Sequence, residues 1–370
     1  MNNKPLKDLG PIKVLGIETS CDETAASVIE RHPDGSGKIL SNIVRTQLEE
    51  HAAFGGVVPE IAARAHCEAL DKIIKAAILE ADCKFKDLDA IGASSGPGLI
   101  GGLLVGTMTA KAIASVHKLP YIGVNHLAGH ALTAGLTNQT KPPYLLLLVS
   151  GGHTQLLWIE AVGKYTRIGS TIDDALGEAF DKTAKLLGLG YPGGPEVEKW
   201  AKGGDETRFK LPSPLKGRKE PNFSFSGLKT ALRQQAEKLQ PLSDKDIHDL
   251  CASFQKALIS SVMDRVKMAL LQLDKQFPIN GEKNFVVAGG VAANQKLKSE
   301  LEKFSETHNL TLIVPPPALC TDNAAMIAWA AAEQFANGQS DPLSTPVRSR
   351  WPLDESAKPI LGSGKAGTKA

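Results

Sequence analysis

Paired thiols are missing from this sequence. Its five cysteines, Cys21, Cys67, Cys83, Cys251 and Cys320, form no CxxC spacing, and their number is odd. A disulfide framework and a thiolate zinc knuckle both need pairs, so neither is expected, and a reducing, cytoplasmic setting fits. Excess charge of one sign is missing too: 42 Lys and Arg face 40 Asp and Glu, a net +2. That excludes a global polycation, so nucleic acid would need a local basic patch or help from a partner. The N-terminal MNNKPLKDLGPIK has no apolar h-region and no arginine, unlike secretory or transit peptides. No long uncharged apolar run occurs either. The most apolar stretch, 98–116, holds Lys111 and four glycines and reads as a buried helix, with no membrane association expected.

What is present is ordinary globular material. The 370 residues are 42% hydrophobic and 22% charged, enough for two lobes. IKVLGI (12–17), a polar turn ETSCDET, and AASVIE open the chain as strand, turn, strand. YLLLLVS (144–150), GGHT and QLLWIE repeat that plan. Helices are expected at 61–81, from the glycine-rich segment 94–102 to about Val116, at 173–188, at 243–276, and at 320–338 with an Asp/Asn start and a Gly stop. The expected division is an N-terminal α/β lobe, 1–125, and a second α/β lobe, 126–320. The second lobe carries a loop insertion at 203–227, and the helix near 321–337 packs back on the first. The Pro-, Gly-, Ser- and Lys-rich stretch 340–370 reads as a loose tail. Duplicated α/β lobes usually hold a ligand in a central cleft.

Several motifs bear on chemistry. Ser150-Gly151-Gly152 follows a strand and suits an anion, and the Thr19–Thr24 turn has the same position in the first half. Either is also what an ordinary hairpin turn looks like. Walker A fails, because no Lys follows Gly106 in GGLLVGT. FVVAGGVAANQKL (285–297) brings glycines and Asn294 to a helix start, where Asn294 suits a ligand or a plain N-cap. In VNHLAGH, His126 and His130 are four apart, so on a helix both imidazoles face one way. That spacing is equally compatible with two packed histidines. Leu127 stands where HExxH needs its Glu, which weakens a metallopeptidase reading. Asp322 in TDN offers a third ligand, and two imidazoles plus a carboxylate suit Fe(II) or Zn(II). In LKGRKEPNFSFSGLKTALR (215–233), basic residues alternate with Phe223 and Phe225, which suits phosphate and base contacts or a solvated loop with two anchors.

Eight segments in order resemble the bacterial TsaD family: GIETSCDET (16–24), PGLIGGLLVG (97–106), NHLAGH (125–130), LVSGGHTQL (148–156), DDALGEAFDKTAKLLGLGYPGGP (173–195), FSFSGLKTA (223–231), VAGGVAAN (287–294) and CTDNAAMIA (320–328). The resemblance implies a two-lobed actin/hexokinase/heat-shock-chaperone fold and a metal on His126, His130 and Asp322. It implies substrate contacts at Leu148, Val149, Ser150, Gly151, Gly152, Asp181, Gly194 and Asn294. Glu198 stands where some members carry an acidic contact. The implied reaction moves a threonylcarbamoyl group from threonylcarbamoyl-AMP to N6 of the adenosine next to the anticodon, in tRNAs reading codons that begin with A. The implied partners are tRNA, a TsaB-like paralogue of the same fold, a TsaE-like P-loop ATPase and a threonylcarbamoyl-AMP synthase as supplier. Glu23, with Asp22 as rival, is the candidate to orient the amine or take its proton. A small-molecule kinase of the same fold and a non-catalytic nucleotide-binding scaffold are the competing readings, and the histidine pair speaks against both.

Overall fold

The computed structural model describes residues 10–52, 54, 56–277 and 283–358. It divides into two compact units. The first is drawn from Met1–Pro142, Ala161–Tyr165 and Thr321–Glu355, and the second from Pro143–Glu160, Thr166–Cys320 and Ser356–Ala370.

In the first unit the chain runs β1 (Ile12–Glu18), β2 (Glu23–Arg31), β3 (Gly37–Thr46), α1 (Leu48–Ala52), α2 (Pro59–Glu80), β4 (Ala90–Gly96), α3 (Ile100–His117), β5 (Tyr121–Asn125) and α4 (His126–Asn138). The sheet order is β3-β2-β1-β4-β5. β1 and β2, and β2 and β3, pair antiparallel; β1, β4 and β5 run parallel. β1 is central, so its apolar residues are buried on both faces and the strand reads as a continuous hydrophobic run.

In the second unit follow β6 (Tyr144–Val149), β7 (Thr154–Ala161), β8 (Lys164–Ser170), α5 (Leu176–Leu187), α6 (Gly193–Ala201), α7 (Ser226–Lys238), α8 (Asp244–Gln276), β9 (Asn284–Ala288), α9 (Gln295–Thr307), β10 (Thr311–Ile313) and α10 (Pro317–Cys320). The order is β10-β9-β6-β7-β8, the same plan as the first sheet. α8 starts on a capping box, Ser243 with Asp246, and buries Leu250, Phe254, Leu258, Val262 and Val266 at spacings of four. β8 and α6 were not anticipated from the sequence pattern.

The last helix, α11 (Ala324–Ala336), returns to the first unit and packs on β1, β2, β4 and α4. Its buried run Ala324–Ala332 is apolar all round, and its many alanines allow close approach to the sheet. Because α4 packs against α11, the histidine helix falls in the first unit rather than beyond a boundary at 125/126.

The stretch after α11 corrects the reading of a loose tail. Asp341 N donates to Tyr121 O, and Asp341 Oδ2 accepts from Gly123 N. Arg348 N donates to Ser95 O, Gly98 N to Ser349 O, and Asn125 Nδ2 to Trp351 O. Polar, Pro-rich composition correctly signals irregular backbone; it is silent on distant partners at the ends of β4 and β5. Residues 359–370 lie outside the described residues.

Candidate metal centre

β5 ends at Asn125, whose side-chain oxygen accepts from Leu127 N at 2.9 Å and starts α4. His126 is thus the first helical residue and His130 follows one turn later on the same face. Asp322 precedes α11, whose cap is Asn323, accepting from Met326 N. The three ligands meet. Asp322 Oδ1 is 3.0 Å from His130 Nε2 and 3.5 Å from His126 Nε2, and one donor atom from each residue lies within 4.8 Å of the others. The imidazole rings stand edge to face, 4.9 Å between centroids.

A fourth residue, unanticipated from the sequence, completes the arrangement. Glu18, the last residue of β1, is fully buried, and its Oε2 lies 2.9 Å from His126 Nδ1. Its other oxygen accepts from Ser20 N at 2.5 Å, and Ser20 Oγ is 3.1 Å from the same Nδ1. The one available signal was an acid closing an apolar strand. These bonds also correct the view of the Thr19–Thr24 turn as an anion nest: its Ser20 amide is committed to Glu18, and Thr19 Oγ1 donates to Gly102 O. The glycine-rich segment lets α3 lie on that turn, since a Cβ at Gly102 would stand 2.2 Å from Thr19 O, and one at Gly106 2.2 Å from Thr19 Oγ1.

The electrostatics favour positive charge at His126. Burial alone would favour a neutral imidazole at His126, but Asp322 and Glu18 outweigh it and hold its pKa well above the usual 6.5. Burial likewise works against the charge on Asp322 and on Glu18, and the histidines prevail, holding Asp322 well below and Glu18 below its ordinary value. Positive charge between these carboxylates is therefore favoured, as a proton on His126 or as a divalent ion. With Nδ1–H of His126 donated to Glu18, Nε2 faces Asp322 Oδ1, and a proton or a cation between them satisfies both. The donor set thus fits Fe(II) or Zn(II). Glu23, the first residue of β2, is pushed up to about 10 by burial, then by Asp322 and Asp22.

The second unit places the other expected residues. Leu148 and Val149 end β6 and are buried, Leu148 paired with Gln155 of β7 and Ala288 of β9 and Val149 with Thr154 of β7. In the turn that follows, Ser150 N donates to His153 O, while Gly151 and Gly152 are exposed and a Cβ on either would meet no atom within 4 Å. Gly289 has φ +95°, and a Cβ there would stand 2.4 Å from Val149 O, so glycine is what lets the end of β9 meet the end of β6. Asp181 accepts from Gly193 N at 2.8 Å and so fixes the start of α6, which carries the half-buried Gly194. Glu198 accepts from Gln295 N at 2.7 Å. Asn294 is the N-cap of α9, accepting from Leu297 N at 2.8 Å. A cavity of about 340 Å³ is lined by Glu198, Gln255, Lys256, Gln295 and Lys296 among others; the Ser150 turn, Asp181 and Gly194 do not line it. Phe223 and Phe225 are buried and stack on each other, which rules them out as base-stacking platforms.

Two solved structures share the architecture. A crystal structure of T. kodakarensis HypF aligns with TM-score 0.58 at 15% identity, covering 90% of this chain and 49% of that one. Full-length HypF in its phosphate- and nucleotide-bound form aligns at 0.56 and 14%, covering 88% and 46%. Duplicated sheets and a buried two-histidine, one-carboxylate cluster define an α/β protein of the actin/hexokinase type with a metal-competent centre. Sequence comparison narrows the class. The family model described as TsaD, tRNA N6-adenosine threonylcarbamoyltransferase, matches residues 38–329. The enzyme of that name from Agrobacterium fabrum is 60% identical over 97% of this chain and 99% of its own length. The one from Bartonella bacilliformis is 58% identical over 97% and 100%. The chain belongs to the TsaD family of tRNA-modifying transferases.

Proposed function

We propose that this chain moves the threonylcarbamoyl group from threonylcarbamoyl-AMP to N6 of the adenosine beside the anticodon, in tRNAs reading codons that begin with A. The N6 lone pair attacks the carbamoyl carbon, a C–N bond forms, the C–O bond to the AMP phosphate breaks, and AMP leaves with the electron pair. The observation that carries this reading is the convergence of His126, His130 and Asp322, with Glu18 fixing His126.

One divalent metal, Fe(II) first and Zn(II) second, would be held by His126, His130 and Asp322 and would supply Lewis acidity to the carbonyl or phosphate oxygens. Glu18 and Ser20 keep His126 in the tautomer that offers Nε2. The Gly151 and Gly152 amides and the Ser150 hydroxyl receive phosphate or the developing oxyanion, on a turn placed by Leu148 and Val149 at the end of β6. Asp181 accepts from ribose hydroxyls, and Asn294 with the Gly289 turn flanks the adenine. Glu198 borders the cavity of about 340 Å³, a size in the range of small-molecule sites. Glu23, held protonated first by burial and then by Asp322 and Asp22, is the candidate to orient the N6 amine or take its proton.

The same reading implies partners. α3 is long and apolar enough to cross a membrane by length and composition, yet it packs on β4 and α2. Its outer stripe, Ile100, Leu104 and Met108, is 50%, 46% and 59% exposed. That stripe supports docking of a TsaB-like paralogue. A TsaE-like P-loop ATPase and a threonylcarbamoyl-AMP synthase complete the assembly, in the cytoplasm where tRNA is modified.

The test is single-turnover transfer of labelled threonylcarbamoyl to unmodified tRNA, with protein stripped of metal and then refilled with Fe(II) or Zn(II). Transfer at the refilled rate by stripped protein, or by a His130→Ala variant, would remove the metal from the mechanism.

A further inference from the structure

The insertion between α6 and α7 divides its cations into two kinds. Arg208 is engaged by Asp246 and Asp249 on α8. Lys210, Lys216, Arg218 and Lys219 are exposed, and among the described residues none of them pairs with a carboxylate. The backbone beneath the last three is held firmly. Arg265 on α8 is 1% exposed, and its Nη1 donates to Arg218 O at 3.0 Å and to Glu220 O at 2.8 Å. Its neighbour Asp264, bonded to the same guanidinium, accepts from Gly217 N at 3.1 Å. Arg218 N closes a turn onto Leu215 O, with Leu215 at φ +58°, in the left-handed region a bulky residue rarely adopts. A buried guanidinium is expensive to desolvate, and here it serves to fix the shape of a surface loop. Unpaired cations on a rigid frame are what a polyanion with regular phosphate spacing requires. The insertion also begins at the rim of the second unit's cavity, where Gly204 and Glu206 line it.

We infer that Lys210, Lys216, Arg218 and Lys219 form a docking surface for the phosphate backbone of the substrate tRNA, with Arg265 and Asp264 as its internal brace. The inference rests on the reading of the chain as a tRNA transferase. It assigns sequence-independent affinity to this loop, which explains how a chain with net charge of only +2 contributes to holding a polyanion.

The experiment measures tRNA affinity of the full chain, assembled with its partners, between roughly 50 and 200 mM salt. Each lost phosphate contact lowers the slope of log affinity against log salt by about one. The combined variant Lys216→Ala, Arg218→Ala, Lys219→Ala is expected to lower it by about two to three, with metal content and threonylcarbamoyl-AMP binding unchanged. Lys216→Arg with Lys219→Arg is expected to restore the wild-type slope. An unchanged slope in the triple alanine variant overturns the inference. So does a loss of partner assembly with tRNA binding intact, which would make the loop a protein-docking surface. A wild-type assembly with no salt-dependent tRNA binding would instead overturn the tRNA reading on which the loop assignment stands.

Discussion

The two sheets share one strand order, and each places a tight turn after its central strand, β1 into β2 and β6 into β7. The turns have become opposites. After β1, Glu18, Thr19 and Ser20 are buried, their polar groups are engaged, and α3 presses on them through glycines. After β6, α5 approaches the turn through Gly177, yet Gly151 and Gly152 are exposed and a Cβ on either would meet no atom within 4 Å. One copy of the plan orients an imidazole in a cluster that could hold a metal, and the other leaves two glycines exposed. Equivalent positions of a duplicated fold thus differ in surroundings, and the side chain that separates them is the buried carboxylate of Glu18.

The sharpest way to break this contrast is at the ligands. His130→Ala or Asp322→Ala leaves too few donors to hold the ion, and transfer is expected to fall on the order of a thousandfold or more. Metal analysis alongside single-turnover rates checks that both fall together. Glu18→Gln comes next. The amide keeps the shape but no longer favours Nδ1–H on His126, so metal affinity is expected to fall about ten- to a hundredfold. Competition with a chelator measures it, and an unchanged affinity would reduce Glu18 to a packing residue. Gly102→Ala attacks the closed turn from outside. Its Cβ would meet Thr19 O at 2.2 Å, and overpacking of that kind costs about 1–3 kcal/mol, visible as a lower denaturation midpoint.

The readable part of the molecule was the local part. The i, i+4 spacing of His126 and His130 follows from helix geometry, and the capped start of α11 is written in Thr321-Asp322-Asn323. The repeated strand-turn-strand plan was visible because both central strands are buried on two faces and read as apolar runs. What escaped depends on distant partners. Glu18 reads as the polar end of a strand until His126, 108 residues away, is placed against it. The segment after α11 reads as tail because Ser95 and Tyr121, which bond its backbone, leave no trace in its own composition. Phe223 and Phe225 suggested stacking on bases; their burial depends on how the insertion folds onto its own unit, which spacing does not encode. Asn294 presented two options, cap or ligand contact; its Oδ1 caps α9, and that bond does not exclude the second.

The smallest expected effect is also the most discriminating, because it concerns the open turn. A methyl group at Gly151 meets no atom within 4 Å, and its backbone is not held in the left-handed region. Gly151→Ala is therefore expected to leave stability within about 0.5 kcal/mol of wild type, unlike Gly102→Ala. If the amides of this turn approach the donor's phosphate closely, the added methyl stands where that phosphate must come. KM for threonylcarbamoyl-AMP then rises several-fold while metal affinity is untouched. Were Gly151→Ala to weaken metal binding as Glu18→Gln does, the two turns would not be chemically separate, and the division of labour between the two sheets would fail. Equal KM values for wild type and variant would leave the first turn's role intact but remove the phosphate from the second.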